Sequence, residues 1–162
     1  MKIFITGVAG FLGSHLAKRM LDLGHDVIGN DNLIGGDLIN LDKRISFFNT
    51  DCNNLEEMTK ITKGCKVIYH CAATAHEGLS VFSPHIITNN IFQASVAVIT
   101  AAIKNKVDRF VYCSSMARYG NQTPPFHEDM IPKPEDPYGI AKVAGENVLK
   151  VLADLNNMEW NI

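Results

Sequence analysis

Three glycines with two residues between each, Gly7, Gly10 and Gly13, mark the passage from the apolar run Lys2 to Thr6 into a helix-length stretch from about Phe11 to Leu23. A strand that becomes a helix through glycines brings backbone close to backbone. It also leaves the first N–H groups of the helix free, so that a pyrophosphate can meet them. The spacing is G-x-x-G-x-x-G and not the G-x-G-x-x-G of many dehydrogenases, and glycines alone would also suit a plain strand-to-helix turn. Asp31 adds the second half of the pattern. It follows another apolar run, Asp26 to Asn30, and lies 18 residues beyond Gly13, where a carboxylate can accept hydrogen bonds from an adenosine ribose. Such a carboxylate repels the ribose phosphate of NADP, and the neighbours Asn32 and Leu33 supply no positive charge to compensate, so the pattern favours NAD. Asp51, after the next strand, could reach the adenine or be an exposed loop acid.

Beyond this turn the chain alternates short apolar runs with helical stretches. Ile45 to Asn49, Lys66 to Cys71 and Arg109 to Ser114 read as strands, and Leu55 to Thr62 as a short helix. Asn32 to Arg44 reads as mostly loop with one short helix, and a Pro-rich loop holds Pro124, Pro125, Pro132 and Pro134. Gly78 to Ile103 carries no formal charge; with Pro84 near its start and Lys104 to Lys106 at its end it makes a long helix. Asn89, Asn90 and Gln93 in its middle argue for burial and against a membrane span. A helix from Pro137 to about Leu155 follows. Met158 to Ile162 reads as the opening of a sixth strand, cut off so that the fifth strand would lack its outer neighbour. Nearly continuous apolar strands alternating with helices imply a doubly wound α/β fold, a parallel sheet with helices on both faces.

At 162 residues and 46% hydrophobic content the chain supports one domain, residues 1–162. Lysine and arginine number 15 against 17 acids, a balance that points to a small-molecule partner and away from nucleic acid or an anionic membrane. Cys52, Cys65, Cys71 and Cys113 form no C-x-x-C pair, so neither a metal site nor a redox motif is expected, and free thiols suit a reducing compartment. Gly7, Gly10, Gly13 and His15 interrupt any signal-peptide core. A cytoplasmic protein is the expectation.

Tyr138 and Lys142 lie four apart at the start of the last helix, on one face, where the ammonium can lower the phenol's pKa. Asp136 is placed to cap that helix, and Pro137 suits its first position. Y-x-x-x-K recurs by chance, and only its place in the chain gives it weight. Ser114 and Ser115 end the fifth strand at the carboxyl edge of the sheet, where ligands bind in this architecture. A serine there can hydrogen-bond a reacting oxygen or simply cap a turn.

In order along the chain, Gly7 to Gly13, Asp31-Asn32-Leu33, His70-Cys71-Ala72-Ala73, Asn90, Ser114 to Gly120 and Pro137 to Lys142 resemble the motifs of extended short-chain dehydrogenases/reductases of the NAD-dependent epimerase/dehydratase type. The resemblance spans essentially the whole chain and implies a Rossmann-type sheet. It implies Ser115, Tyr138 and Lys142 as catalytic residues. For NAD it implies Gly7, Gly10, Phe11, Leu12 and Gly13, then Asp31 with Asn32, Asp51 with Cys52, and Cys71 to Ala73. Asn90, Tyr138 and Lys142 complete that set. Members of the family that eliminate water or carbon dioxide carry a glutamate two residues after the catalytic hydroxyl, preceded in some by aspartate. Met116 and Ala117 stand there instead, so nucleotide-sugar epimerisation through a keto sugar is the implied activity. A net oxidoreductase or a dehydratase of the same family, or a non-catalytic NAD(H) sensor, is the alternative. Retention of Ser115, Tyr138 and Lys142 counts against a sensor. Family members run to roughly twice this length, a size expected when a substrate region is added to a cofactor domain, so this chain alone is expected to be inactive. The uncharged helix and the Pro137 helix have more apolar surface than a sheet face covers, and related proteins dimerise through such a pair, so a homodimer is expected.

Overall fold

The computed structural model describes all 162 residues. Six strands form one sheet: β1 (Lys2–Thr6), β2 (Asp26–Asp31), β3 (Ser46–Asn49), β4 (Val67–His70), β5 (Arg109–Tyr112) and β6 (Glu159–Asn161). Their order is β3-β2-β1-β4-β5-β6 and every pairing is parallel. Parallel neighbours need crossovers, and α-helices provide all but the one from β2 to β3, which is a loop with a single 3-10 turn at Leu38–Asn40. The fold is the expected doubly wound Rossmann sheet.

Side chains alternate across the strands, and both faces are buried. On one face Ile3, Ile5 and Val27 pack with Ala17 of α1 (Phe11–Asp22), flanked by Leu16, Met20 and Leu21. Phe4, Ile28, Ile68 and Phe110 point to the other face. There they meet Met58 and Ile61 of α2 (Leu55–Ile61), Val98 and Ile99 of α4 (Ala94–Lys104), and Leu149 and Ala153 of α5 (Pro137–Leu155). Each such buried Val, Leu, Ile, Met or Phe side chain stabilises the fold by about 1.5–3 kcal/mol.

The uncharged stretch forms one helix, Pro84–Lys104, long and apolar enough by length and composition to cross a membrane. Half of its most apolar window is buried inside the protein, as the core helix anticipated from its amides is. It is not uniform, however. Between α3 (Pro84–Thr88) and α4 lies a π turn, Asn89–Gln93, which carries one more residue per turn than the periodicity implied. Ile87 and Ile91, before and within that turn, pack with Tyr138 and Ala141, whereas Ala94, Val98 and Ile99 after it pack against the sheet.

Two expectations need correction. The fifth strand does not lack an outer neighbour: β6 pairs with it from Arg109↔Glu159 to Val111↔Asn161. Three residues suffice because Trp160 packs on the core, Met158 is buried, and Glu159 ion-pairs with Arg109. In addition, β5 ends at Tyr112, two residues earlier than expected, and beyond it Ser114 donates a hydrogen bond to Glu146.

Candidate active site

A cleft of about 450 Å³ opens at the carboxyl ends of the strands, beside the β1/β4 junction where the strand order reverses. That volume lies in the range of small-molecule sites. Its wall at β1 is the glycine turn. Gly7 adopts φ +67, and a Cβ there would come within 2.9 Å of the Ala72 backbone; a Cβ on Gly13 would stand 2.2 Å from the Gly7 carbonyl oxygen. Only glycine allows α1 to start this close to β4. Asn54 caps α2 and Asp136 caps α5, but no side chain caps α1 at Gly10. Gly10, Phe11, Leu12 and Gly13 all line the cleft, so the uncapped positive end of α1 faces it.

Asp31 ends β2 at the cleft and is only 7% exposed. One carboxylate oxygen accepts from the Ala9 N–H at 3.0 Å and the other from the Leu33 N–H at 2.8 Å. Each keeps a lone pair for a ligand hydroxyl. Asn32 donates to Asp51 at 2.8 Å, and both line the cleft with Cys52. Burial raises the Asp51 pKa, but hydrogen bonds from the Asn53 backbone and from the Asn32 and Asn53 amides outweigh it and hold the carboxyl below its ordinary value. Burial pushes the Cys52 thiol up to about 12. The two acids of the lining thus stand at the ends of β2 and β3, on the far side of β1 from α5.

Cys71, Ala72 and Ala73 leave β4 along the cleft floor. Below them runs a buried polar thread. The Ala72 N–H donates to Thr6 Oγ1, which bonds His70 Nδ1 at 2.8 Å, while His70 Nε2 lies 3.0 Å from Ser95 Oγ. Burial lowers the His70 pKa to about 3, so the ring is neutral. Asn90, in the π turn, donates to Thr74 Oγ1 at 3.0 Å and also lines the cleft. A π turn frequently marks a functional position, and here it brings an amide to the cleft from a helix otherwise packed in the core.

Tyr138 and Lys142 occupy the first turns of α5, and both are buried at the cleft. Asp136 accepts from the Gly139 N–H at 2.9 Å and fixes that helix start. Lys142 Nζ donates to the Cys113 carbonyl at 2.7 Å and stands 5.9 Å from the Tyr138 ring centre. Burial pushes its pKa down to about 8, against the pull of Cys113, Cys71 and Glu146. Ser115 is outside the cleft lining; its oxygen accepts from the Ala117 N–H at 3.1 Å and caps a short 3-10 turn, Met116–Tyr119. That contact uses a lone pair and leaves the O–H free to donate. The serine that does line the cleft is Ser114.

Ser114 leads to a group the sequence reading missed. Glu146, 1% exposed, accepts from Ser114 and pairs with Arg118 at 3.1 Å. It lies one turn beyond Lys142 on the same face of α5, so extending the Tyr-x-x-x-Lys spacing by four would have found it.

The chain matches the model of the NAD dependent epimerase/dehydratase family over residues 3–162. A putative UDP-glucose 4-epimerase of Methanocaldococcus jannaschii is 31% identical over 99% of this chain and 53% of that protein. Among solved structures, the UDP-glucose 4-epimerase of Thermotoga maritima with UDP-glucose superposes with a TM-score of 0.95 at 32% identity, over 99% of this chain and 53% of its own. The UDP-glucose 4-epimerase of Thermus thermophilus in complex with NAD gives 0.93 at 27%, over the same shares. The chain spans about half the length of the relatives it matches.

Proposed function

The chain belongs to the NAD-dependent epimerase/dehydratase family, and on that premise we propose that residues 1–162 are the cofactor-binding domain of a nucleotide-sugar 4-epimerase. One observation carries this reading. A single cleft has an uncapped helix start and a two-lone-pair carboxylate at one end, and a tyrosine with a buried lysine at the other. The residues suit NAD: the backbone N–H groups of Phe11, Leu12 and Gly13, beside Gly7 and Gly10, for the pyrophosphate, Asp31 with Asn32 for the ribose, and Asp51 with Cys52 for the adenine. Cys71 to Ala73, Asn90, Tyr138 and Lys142 would border the nicotinamide half. Bound NAD would supply the hydride acceptor that turns a sugar carbinol into a ketone and gives the hydride back on the other face.

The chain's own residues would handle the proton. Tyr138 as phenolate takes the proton of the sugar hydroxyl and returns it to the alkoxide formed on reduction. Lys142, a cation at neutral pH held by the Cys113 carbonyl, would stand beside the phenol ring with its charge 5.9 Å from the ring centre. The free O–H of Ser115 would donate to the carbonyl oxygen as it develops. Elimination of water needs a further acid, and Met116 and Ala117 provide none; Asp31 and Asp51 are at the wrong end of the cleft.

Relatives are about twice as long, so turnover would need residues beyond these 162 to hold the sugar. A protein of the relatives' length carrying this chain should interconvert UDP-glucose and its C4 epimer without accumulating reduced nicotinamide. Net reduction of NAD would establish the oxidoreductase alternative. Tyr138→Phe should slow that turnover by about 10²–10⁴-fold with NAD still bound; wild-type activity in that variant would remove Tyr138 from the mechanism.

We also propose a homodimer, and a cytoplasmic setting that suits four free thiols. α3 packs beside α5, and Ile86, Ile140, Val151 and Leu155 on this pair remain more than half exposed.

A further inference from the structure

We propose that Cys71 and Cys113 form a reversible oxidation site in the floor of the cleft, where a peroxide converts the two thiols to a disulfide. The two cysteines directly follow His70 and Tyr112, the last paired residues of β4 and β5, and so are register neighbours on adjacent parallel strands. Their sulfurs lie 3.7 Å apart, half-buried, and both line the cleft. Adjacent strands run about 4.8 Å apart, and a disulfide spans Cα atoms about 4.4–6.8 Å apart. Strand spacing is therefore compatible with a disulfide, and the sulfurs, now 3.7 Å apart, need to close to about 2.05 Å. The spacing in sequence hides the pair, because only the parallel pairing of β4 with β5 brings them together.

The surroundings assign the roles. The Cys71 thiol beside it, and the Lys142 ammonium that bonds the Cys113 carbonyl at 2.7 Å, hold the Cys113 thiol below its ordinary pKa against burial. The same contact, with burial, pushes Cys71 up, so Cys71 keeps its proton. The Cys113 thiolate attacks one oxygen of hydrogen peroxide, the O–O bond breaks, and hydroxide leaves and is protonated to water, giving a sulfenic acid. The Cys71 sulfur then displaces the sulfenic hydroxyl; the S–S bond forms, and the thiol proton leaves with the hydroxyl as a second water. Two electrons pass from the sulfur pair to one peroxide. A thiol reductant reverses the bond. Cys52 and Cys65 are internal controls: both are buried, their thiols are pushed up to about 12 and about 11 by burial, and neither bonds another sulfur.

The test is peptide mapping of the purified chain after hydrogen peroxide and alkylation. The expected product has lost the mass of two hydrogen atoms, contains a Cys71–Cys113 linked peptide, returns to the starting mass with dithiothreitol, and leaves Cys52 and Cys65 alkylated. Cys113 should react at least ~10-fold faster than either buried thiol. Cys71→Ser should stop at a sulfenic acid on Cys113, trapped by a 1,3-diketone. A wild-type chain that over-oxidises Cys113 with Cys71 still free, links Cys52 or Cys65 instead, or reacts at no cysteine overturns the proposal. A second arm depends on the NAD reading: saturating NAD should slow the link by about tenfold or more by covering the sulfurs. Linking at the same rate with and without NAD would displace NAD from this cleft and leave the dithiol site standing.

Discussion

At Asp31 two backbone N–H groups, from Ala9 and Leu33, hold the carboxylate in place, and the only cation in the cleft lining is Lys142 at its other end. A ribose phosphate arriving here would meet a negative charge that cannot turn away. Asp31→Asn keeps the shape and removes the charge, so its preference for NAD over NADP should fall by about tenfold or more, roughly 1.4 kcal/mol. Titrations with both nucleotides measure this, and an unchanged ratio would place the discrimination elsewhere. Gly7 and Gly13 were legible in the sequence because each meets a backbone requirement that only glycine satisfies, and Asp31 because the strand pattern sets it at the end of β2. Ser115 and Ser114 were separable only through the family resemblance, since by position both are hydroxyls at the end of one strand. Their partners differ: Ser115 caps the next turn through the Ala117 N–H two residues on, whereas Ser114 meets Glu146, 32 residues away. Cys71 and Cys113 were named in the sequence, but their pairing was not legible because it lies in the sheet and not in the spacing.

Among the elements, α5 depends most on its first turn, where Asp136 caps, Pro137 starts the helix and Tyr138 is presented to the cleft. Asp136→Ala should cost about 1 kcal/mol of stability, visible as a lower urea midpoint. It should also impair catalysis in the long protein beyond what that loss explains, because the freed turn no longer fixes the phenol. Activity equal to wild type at temperatures well below unfolding would show that packing against Ile87 and Ile91 positions Tyr138 without the cap. This helix start was readable from Asp-Pro-Tyr alone, for its signals are local. The π turn was not: apolar periodicity reports which face is buried and is silent on one extra residue in the hydrogen-bond ladder. β6 was readable as a strand, but its pairing was not, since that rests on Trp160 and Glu159 meeting groups some fifty residues away.

On the scale of the whole molecule, the polar thread through Thr6, His70 and Ser95 ties β1, β4 and α4 together and works only with a neutral ring. The folded pKa of His70 is about 3 against 6.5 unfolded, so the unfolded chain takes up a proton that the core refuses. Its contribution is intact above pH 6.5 and declines as pH falls toward 3, by up to about 1.4 kcal/mol per unit. Urea midpoints from pH 7 to 5 should fall more steeply for the wild type than for His70→Gln; parallel slopes would mean that the ring is already solvated. The exposed apolar residues of α3 and α5 predict a dimer by sedimentation at micromolar concentration, which Ile140→Lys should convert to monomer. A monomeric wild type would leave that surface without a role. The sheet order has a kinetic consequence as well. No two neighbouring strands can close as a hairpin, and β1 cannot gain its second partner until Val67 has been made. At about 5–20 residues per second, roughly two to seven seconds of synthesis separate the completion of β2 from the arrival of β4. Throughout that interval β1, an apolar strand at the centre of the finished sheet, waits on the ribosome with one edge unpaired, a natural client for a holding chaperone.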